Sequence, residues 1–215
     1  SGDTVRGLSR SYFDGPDVAQ QRQTDQVTQE KPTLLIIGYG MAESFDGPAG
    51  LPAFRSGLID FLGRVDREKQ RLIFLSPIHH EDLGAPLPDP TAHNADLVAY
   101  AETIGSIAQE QSAPFVDLYS WSQSAAHPAG PVKLTDNGIH LSPAGYWLAA
   151  LEITRQQQLP PQAIEVRIDA AGNKSGQEQS QVKLLKSSDR GVKFEQTDTR
   201  LPTPAFAEAD LSHPQ

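Results

Sequence analysis

The chain has 215 residues, of which 38% are hydrophobic and 21% are charged, and it contains no cysteine. This length supports one substantial hydrophobic core with an appendage, but not two full domains. Eighteen basic residues against 27 acidic ones give a formal net charge of −9. Nucleic acid and anionic membrane surfaces are therefore disfavoured as partners, because both require a positively charged surface. The composition leaves the oligomeric state open.

The absence of cysteine excludes disulfides, thiolate metal sites and a cysteine nucleophile. It leaves the compartment open, and export to the periplasm or the extracellular space stays one of the alternatives. No apolar run approaches the roughly 20 residues that a membrane-spanning helix needs, so we expect no membrane insertion. The chain begins at Ser1 without an initiating methionine or a signal sequence, which favours a processed or partial chain.

Helical and extended patterns alternate through the first 158 residues. Residues 11–31 form a weakly amphipathic, glutamine-rich segment that predicts a helix. Short apolar runs at 33–40, 71–78 and 114–120 are typical of parallel strands that are covered on both faces. Apolar residues recur at helical spacing between these runs, and the alternation predicts an α/β fold with a parallel sheet. The residues with helical spacing are Leu51, Phe54, Leu58, Phe61, Leu62, Val65, Leu97, Ala101, Ile104 and Ile107.

A strong helix-start signal follows an Asn-Gly turn in the stretch TDNGIHLSPAGY, residues 135–146. Ser142 is a good N-cap and Pro143 suits the first helical position, so His140 is predicted to lie at the rim of a helix. A histidine held there can act as a general base, since its unperturbed pKa lies near 6.5. A histidine that only bonds to its own loop is the alternative interpretation.

The pattern changes after residue 158. The segments AIEVRIDAAGNKSG, QVKLLKSS and GVKFEQTD alternate in polarity and are separated by turn residues, which predicts antiparallel hairpins. The last fifteen residues carry three prolines and no periodicity, and we expect them to be disordered. The predicted domains are therefore 1–158 and a β-rich appendage at 159–215.

Three stretches, taken in this order, resemble the signature blocks of the SGNH (GDSL-type) esterases and lipases: SGDT at 1–4, GYGMAESFDG at 38–47 and TDNGIHLSPAGY. The loops at 78–84 and 89–94 resemble those of bacterial members that carry a β appendage. The resemblance implies a three-layer α/β/α sandwich with a flavodoxin-like parallel sheet of five strands. Only the third, fourth and fifth strands are visible, so we expect a fragment that lacks the N-terminal strands and the nucleophile.

The resemblance also implies roles for individual residues. His140 matches the family's catalytic histidine. The family places an aspartate three residues before it, where this chain has Asn137, and Asp136 lies one residue further back. Either would orient the imidazole. Gly2, in the SGDT block, matches an amide donor of the oxyanion hole.

The GYGMAE stretch supplies the remaining predicted substrate contacts. The family's oxyanion asparagine corresponds here to Ala42, which offers no side-chain donor. Gly40 and the backbone of Met41 to Glu43 are still expected to line the site. A plain strand-to-loop turn is the alternative for the glycines.

The nucleophile is not visible in the sequence. The family's first block, a strand followed by Gly-Asp-Ser, is expected upstream of SGDT. Residues Gly2, Asp3 and Thr4 could instead be that block with threonine in place of serine, but this leaves no room for the second block. Ser76 is the best substitute within the chain. Because Pro77 removes the amide donor that would follow it, we interpret Ser76 as structural.

Histidines and carboxylates cluster in the loop at 78–94, where His79, His80, Glu81 and His93 are all potential metal ligands. Adjacent histidines on an extended segment point to opposite sides, which disfavours a metal site. Substrate contact, with His80 at the rim, and a plain polar loop are the other two interpretations. We predict no metal and no cofactor.

The sequence therefore predicts, for the intact protein, a serine esterase acting on a small ester such as an O-acetyl group on a carbohydrate. The 215 residues alone are expected to be inactive and poorly soluble. Ala42 and Asn137 favour an alternative, a catalytically decayed scaffold that binds saccharide or protein through the same cleft.

Overall fold

The computed structural model describes residues 4–6, 15–66, 69–123, 133–159, 166–168, 174–176, 180–188 and 191–198. The chain divides into two compact units, Ser1–Gln157 and Gln158–Gln215. The predicted disordered end at 201–215 and the predicted oxyanion donor Gly2 lie outside the described residues.

The first unit alternates helices and short strands. Its elements are α1 (Pro16–Glu30), β1 (Leu34–Gly38), a 3-10 helix (Glu43–Asp46), α2 (Gly47–Leu62), β2 (Arg71–Leu75), α3 (Thr91–Glu110), β3 (Phe115–Val116), α4 (Leu118–Gln123) and α5 (Pro143–Gln156).

The three strands form one parallel sheet in the order β1-β2-β3. β1 pairs with β2 from Leu34 opposite Arg71 to Gly38 opposite Leu75, and β2 pairs with β3 at its carboxyl end. A parallel arrangement requires the carboxyl ends of all three strands to meet at the same edge. The predicted α/β fold with a parallel sheet is confirmed.

Helices cover both faces of the sheet. On one face, α2 and α3 pack against β1 and β2. On the other, Ile153 of α5 and the β2 residues Ile73 and Leu75 pack against the same buried cluster, which consists of Ile78, Val116 and Leu118. The layers are therefore α/β/α, and most of the residues predicted from helical spacing form the core. The buried residues of the larger cluster are Val5, Ile37, Phe54, Leu58, Leu62, Val65, Leu72, Phe74, Tyr100, Ile104, Ile107 and Ala108.

One face of β1 departs from the prediction that both sides of each strand are covered. Ile36 is 56% exposed and Leu34 is 36% exposed, whereas Ile37 on the opposite face is buried. β1 is one of the two edge strands of the described sheet, and the described helices leave this face of it uncovered.

The segment 114–120 was predicted to be a strand throughout, which is wrong after Val116. Asp117 terminates β3 because its carboxylate accepts a hydrogen bond from the amide of Ser120 at 2.9 Å. This is an N-cap, and it starts α4 at Leu118. β2 likewise ends before Pro77, which cannot donate to a ladder.

The predicted start of α5 is confirmed. The hydroxyl of Ser142 accepts a hydrogen bond from the amide of Gly145 at 3.0 Å, and Pro143 occupies the first turn. α1 begins at Pro16, within the segment predicted to be helical.

The second unit contains two antiparallel strand pairs. β4 (Val166–Ile168) pairs with β5 (Lys174–Gly176), and β6 (Ser180–Ser188) pairs with β7 (Gly191–Asp198). The hairpin prediction for these segments is confirmed. Across the described part of the chain, no helix is both long enough and apolar enough to span a bilayer.

Candidate active site

Three segments that follow strands or precede a helix come together in the first unit. We name residues 40–46, after β1, the Gly40 segment, and residues 135–141, before α5, the His140 turn. The loop after β2, residues 76–84, contacts both through His80. The ring of His80 lies against Gly138 of the His140 turn on one side, and on the other it contacts His93, which binds Ser44 of the Gly40 segment. The Gly40 segment and the His140 turn belong to the stretches that resemble the esterase blocks.

The His140 turn is closed by backbone pairing between its two ends. Thr135 and Leu141 form an antiparallel bridge, and the amide of Asp136 donates to the carbonyl of His140 at 2.9 Å. Helix α5 starts directly after this bridge. The pairing therefore fixes His140 at the start of α5, with its side chain exposed.

Asn137 holds the His140 imidazole. Its Oδ1 accepts hydrogen bonds from the backbone amides of Ile139 at 3.4 Å and His140 at 3.0 Å, so this atom must be the oxygen. The same oxygen lies 3.1 Å from Nδ1 of His140. Because an amide oxygen only accepts, the proton of the neutral imidazole resides on Nδ1. Nε2 is left with a free lone pair on an exposed ring.

The sequence left the orienting group open between Asn137 and Asp136. Asp136 contributes its backbone amide to the turn, and among the described residues no hydrogen bond joins its carboxylate to His140. The geometry therefore gives the contact with the imidazole to Asn137.

The Gly40 segment turns the carboxylate of Glu43 inward. Glu43 is 7% exposed, and its two oxygens accept hydrogen bonds from the amides of Val5 at 2.8 Å and Gly40 at 3.0 Å. Burial raises the pKa of this carboxyl, although the two amides act against that shift. Glu43 thus joins Val5 to Gly40. The amide of Gly40 and both carboxylate oxygens of Glu43 are engaged in these hydrogen bonds, and a direct contact of either residue with substrate stays a prediction.

Met41 and Ala42 continue this segment, and both are partly buried. The carbonyl of Met41 accepts a hydrogen bond from the hydroxyl of Ser44 at 2.8 Å. Ala42 presents only a methyl group where the resemblance places an asparagine donor. Their contact with substrate also stays a prediction.

A chain of polar side chains links the Gly40 segment to the loop after β2. The Ser44 oxygen lies 2.7 Å from Nε2 of His93, and Nδ1 of His93 lies 2.8 Å from Nδ1 of His80. Phe45 stacks on His93 with ring centroids 4.0 Å apart, while 58% of its own surface stays exposed. Sequence reasoning missed Ser44 and Phe45, because no local motif indicates that they meet a histidine nearly fifty positions away.

Burial lowers the pKa of both His80 and His93, and the nearby His80 lowers that of His93 further. His80 is 9% exposed and lies against Gly138 of the His140 turn, and its contact with substrate stays a prediction. His79 points the other way, toward Tyr119. No group of three or more potential metal ligands converges anywhere in the described ranges.

The described serines near the site are all engaged. Ser76 is buried and accepts from the amide of Tyr119 at 2.8 Å, Ser44 belongs to the histidine chain, and Ser142 caps α5. These contacts give each of the three hydroxyls a structural task.

The chain matches a known protein family over the part that contains this site. The model of the GDSL-like lipase/acylhydrolase family matches residues 1–148. The chain belongs to this family. No curated protein sequence is significantly similar to it. The matched range includes the Gly40 segment, the loop after β2 and the His140 turn, so the three elements of the candidate site all lie within the family's domain.

Solved structures share the fold of the chain. An acetylxylan esterase from Geobacillus stearothermophilus is 20% identical, with a TM-score of 0.54 over 74% of this chain and 70% of that one. A gut microbial diltiazem-metabolizing enzyme is 15% identical, with a TM-score of 0.59 over 98% of this chain and 52% of that one. A protein of Parabacteroides merdae assigned as a GDSL-like lipase is 17% identical, with a TM-score of 0.57 over 74% of this chain and 71% of that one.

Proposed function

We propose that the intact protein is a serine esterase in which His140 is the general base and Asn137 holds its imidazole. The observation that supports this is the hydrogen bond from Nδ1 to Asn137, which leaves Nε2 unprotonated on an exposed ring. A general base must offer such a nitrogen to the hydroxyl that it activates. Membership of the GDSL-like lipase/acylhydrolase family supports an ester as the substrate.

In this proposal the nucleophile is a serine of the family's first block, supplied from outside residues 1–215. Its oxygen attacks the ester carbonyl while its proton passes to Nε2 of His140, which then protonates the leaving alcohol. Water repeats the sequence, with its proton taken by Nε2, and releases the acid and the free serine. Among the described residues, Ser44, Ser76 and Ser142 are committed to the contacts given above, which disfavours these three as the nucleophile.

The residue that orients the base differs from the acid of the family. Structures of catalytic mutants of the acetylxylan esterase carry substitutions at an aspartate and a histidine three positions apart. Asn137 and His140 have the same spacing. An asparagine fixes the tautomer but adds no negative charge beside the imidazolium, so we expect a slower enzyme than one with aspartate.

The proposed substrate is an O-acetyl group on a carbohydrate. The acetylxylan esterase with this fold supports it, and so does the exposed ring of Phe45. A flat aromatic ring held in place by stacking on His93 offers a surface for the apolar face of a sugar. Phe45→Ala should raise KM for an acetylated xylooligosaccharide about tenfold and leave ethyl acetate turnover unchanged. Equal effects on both substrates would count against carbohydrate recognition.

The test is labelling of the intact protein by a fluorophosphonate probe, compared between the wild type and His140→Ala. Removal of the base should slow labelling and ester turnover by at least about 10³-fold. The exposed Glu102 on α3 provides a matched control variant, Glu102→Ala, which should behave as wild type. Labelling that is unaffected by His140→Ala would show that the base is assigned wrongly.

A binding module is the second candidate, and Ala42 favours it. The loss of one oxyanion donor costs about 10²-fold to 10³-fold in rate, which a residual binding protein could tolerate. Intact protein that binds an acetylated oligosaccharide but neither reacts with the probe nor hydrolyses esters would support this candidate over the enzyme.

A further inference from the structure

The carboxylate of Glu81 forms hydrogen bonds with the residues at the start of the His140 turn. It accepts hydrogen bonds from the amides of Leu134 at 3.1 Å and Thr135 at 2.8 Å, and from the Thr135 hydroxyl. The backbone amide of Glu81 donates in return to the carbonyl of Gly138 at 2.9 Å. Glu81 therefore fixes the turn both before Asn137, at Thr135, and after it, at Gly138.

The imidazole of His80 supports the same turn by direct contact. Gly138 has a φ of +94°, and a Cβ built on it would lie 2.7 Å from Nε2 of His80. No side chain fits between the ring and the backbone. The ring therefore packs on the Cα of Gly138, the residue directly after Asn137.

His80 is itself held from two directions. Its amide donates to Oδ1 of Asn94 and its carbonyl accepts from Nδ2 of Asn94, both at 2.8 Å. Its ring is held by His93 through the contact between the two Nδ1 atoms. The position of the ring against Gly138 is thus determined by the fold.

The direction of the hydrogen bonds along this chain follows from the single proton of Ser44. Its hydroxyl donates to the carbonyl of Met41, so Nε2–H of His93 donates to Ser44. Nδ1 of the neutral His93 then accepts from Nδ1–H of His80. This leaves Nε2 of His80 unprotonated where it meets Gly138. The three hydrogen bonds therefore have the same direction: His80 donates to His93, His93 to Ser44, and Ser44 to Met41.

We propose that Glu81 and His80 are positioning residues for His140. They fix the turn so that Asn137 can hold the imidazole, and the His80–His93–Ser44 chain joins that turn to the Gly40 segment. The proposal rests on the proposed esterase function for its kinetic consequences. Its structural part, a turn that loosens when Glu81 is removed, can be tested whether or not the protein is an esterase.

The experiment compares the intact wild-type protein with Glu81→Ala, Glu81→Gln and Asp82→Ala. Asp82 is a matched control, because among the described residues its carboxylate accepts a hydrogen bond only from the amide of Gly84, within its own loop. Glu81→Ala should lower kcat about 10-fold to 100-fold with little change in KM, since the base is misplaced while substrate contacts remain. Glu81→Gln keeps one accepting oxygen and should recover part of the loss.

Hydrogen exchange supplies the readout that is independent of activity. In Glu81→Ala the amides of Asp136 and His140 should lose protection, although neither bonds to Glu81. Unchanged protection and unchanged kcat, relative to Asp82→Ala, would overturn the proposal. If the alanine variant does not fold, the glutamine variant decides, because full wild-type kcat and protection there would also overturn it. Loss of protection in a protein that never hydrolyses esters would support the positioning role and refute the enzyme.

Discussion

The Gly40 segment and the His140 turn meet the same loop but use their polar side chains in opposite ways. In the Gly40 segment, Glu43 and Ser44 face inward and satisfy backbone groups of Val5, Gly40 and Met41. In the His140 turn, Asn137 and His140 are exposed, and the supporting groups come from behind, from the loop after β2. The buried side chains of the first region hold the chain in place, whereas the second region exposes Asn137 and His140 at the surface. Substitutions of the buried Glu43 should act on stability, and those of the exposed Asn137 and His140 on rate.

The strongest expected effect is at Gly138, where the backbone of the His140 turn meets the ring of His80. Gly138→Ala adds a Cβ both at a positive φ and against the ring, which should cost about 2 to 5 kcal/mol of unfolding free energy. Gly84→Ala is the matched control, because Gly84 has a φ of +74° but no atom within 4 Å of a built Cβ. Chemical denaturation of both variants checks this. Equal losses would mean that His80 does not press on the turn.

A substitution of Glu43 tests the buried contacts of the Gly40 segment alone. In Glu43→Gln a single amide oxygen replaces two carboxylate oxygens, so either Val5 or Gly40 loses its acceptor. We expect a loss of about 1 to 3 kcal/mol in unfolding free energy, measured by denaturant titration. Glu102→Gln, on the exposed face of α3, should change little. A Glu43→Gln variant as stable as that control would show that the carboxylate does not hold the segment.

A substitution of Asn137 tests the exposed side chains of the His140 turn alone. Asn137→Asp restores a charge beside the imidazole, where a charge-assisted hydrogen bond is about twice as strong as a neutral one. We expect kcat/KM of the intact protein for an acetyl ester to rise about tenfold, which corresponds to about 1.4 kcal/mol. Its unfolding free energy should stay near that of the wild type. A rate that falls would show that the amide is needed for more than its oxygen.

The smallest expected effect is a pH dependence from the histidine pair. Burial lowers the pKa of His80 and His93, so between those lowered values and about 6.5 the unfolded chain binds more protons than the native one. Stability is therefore complete above about pH 6.5 and is lost as the pH falls through this window. Asp96 opposes the shift at His93, and burial also lowers the pKa of the neighbouring His79. His93→Phe should have a shallower pH dependence of unfolding, and an unchanged slope would refute the pair's contribution.

The sequence predicted the elements whose signals are local. The apolar runs located the strands, and Ser142 with Pro143 located the start of α5. It misplaced the end of β3 because Asp117 lies inside an apolar run, where its capping role is easily overlooked.

Contacts between distant residues could not be predicted in the same way. Ser44 and His93 are 49 positions apart, and Glu81 and Thr135 are 54 apart, with no periodicity connecting either pair. The sequence identified His80 and Glu81 as chemically able to bind a metal or substrate. Only the fold shows that both face the His140 turn.

The protonation of the His140 ring tests the central claim most directly. Long-range ¹H–¹⁵N correlation spectra of the imidazole, recorded above pH 7, distinguish its two neutral tautomers. We expect a proton on Nδ1, shared with Asn137, and an unprotonated Nε2. A proton on Nε2 would contradict the account, because the atom proposed to take the serine proton would already carry one.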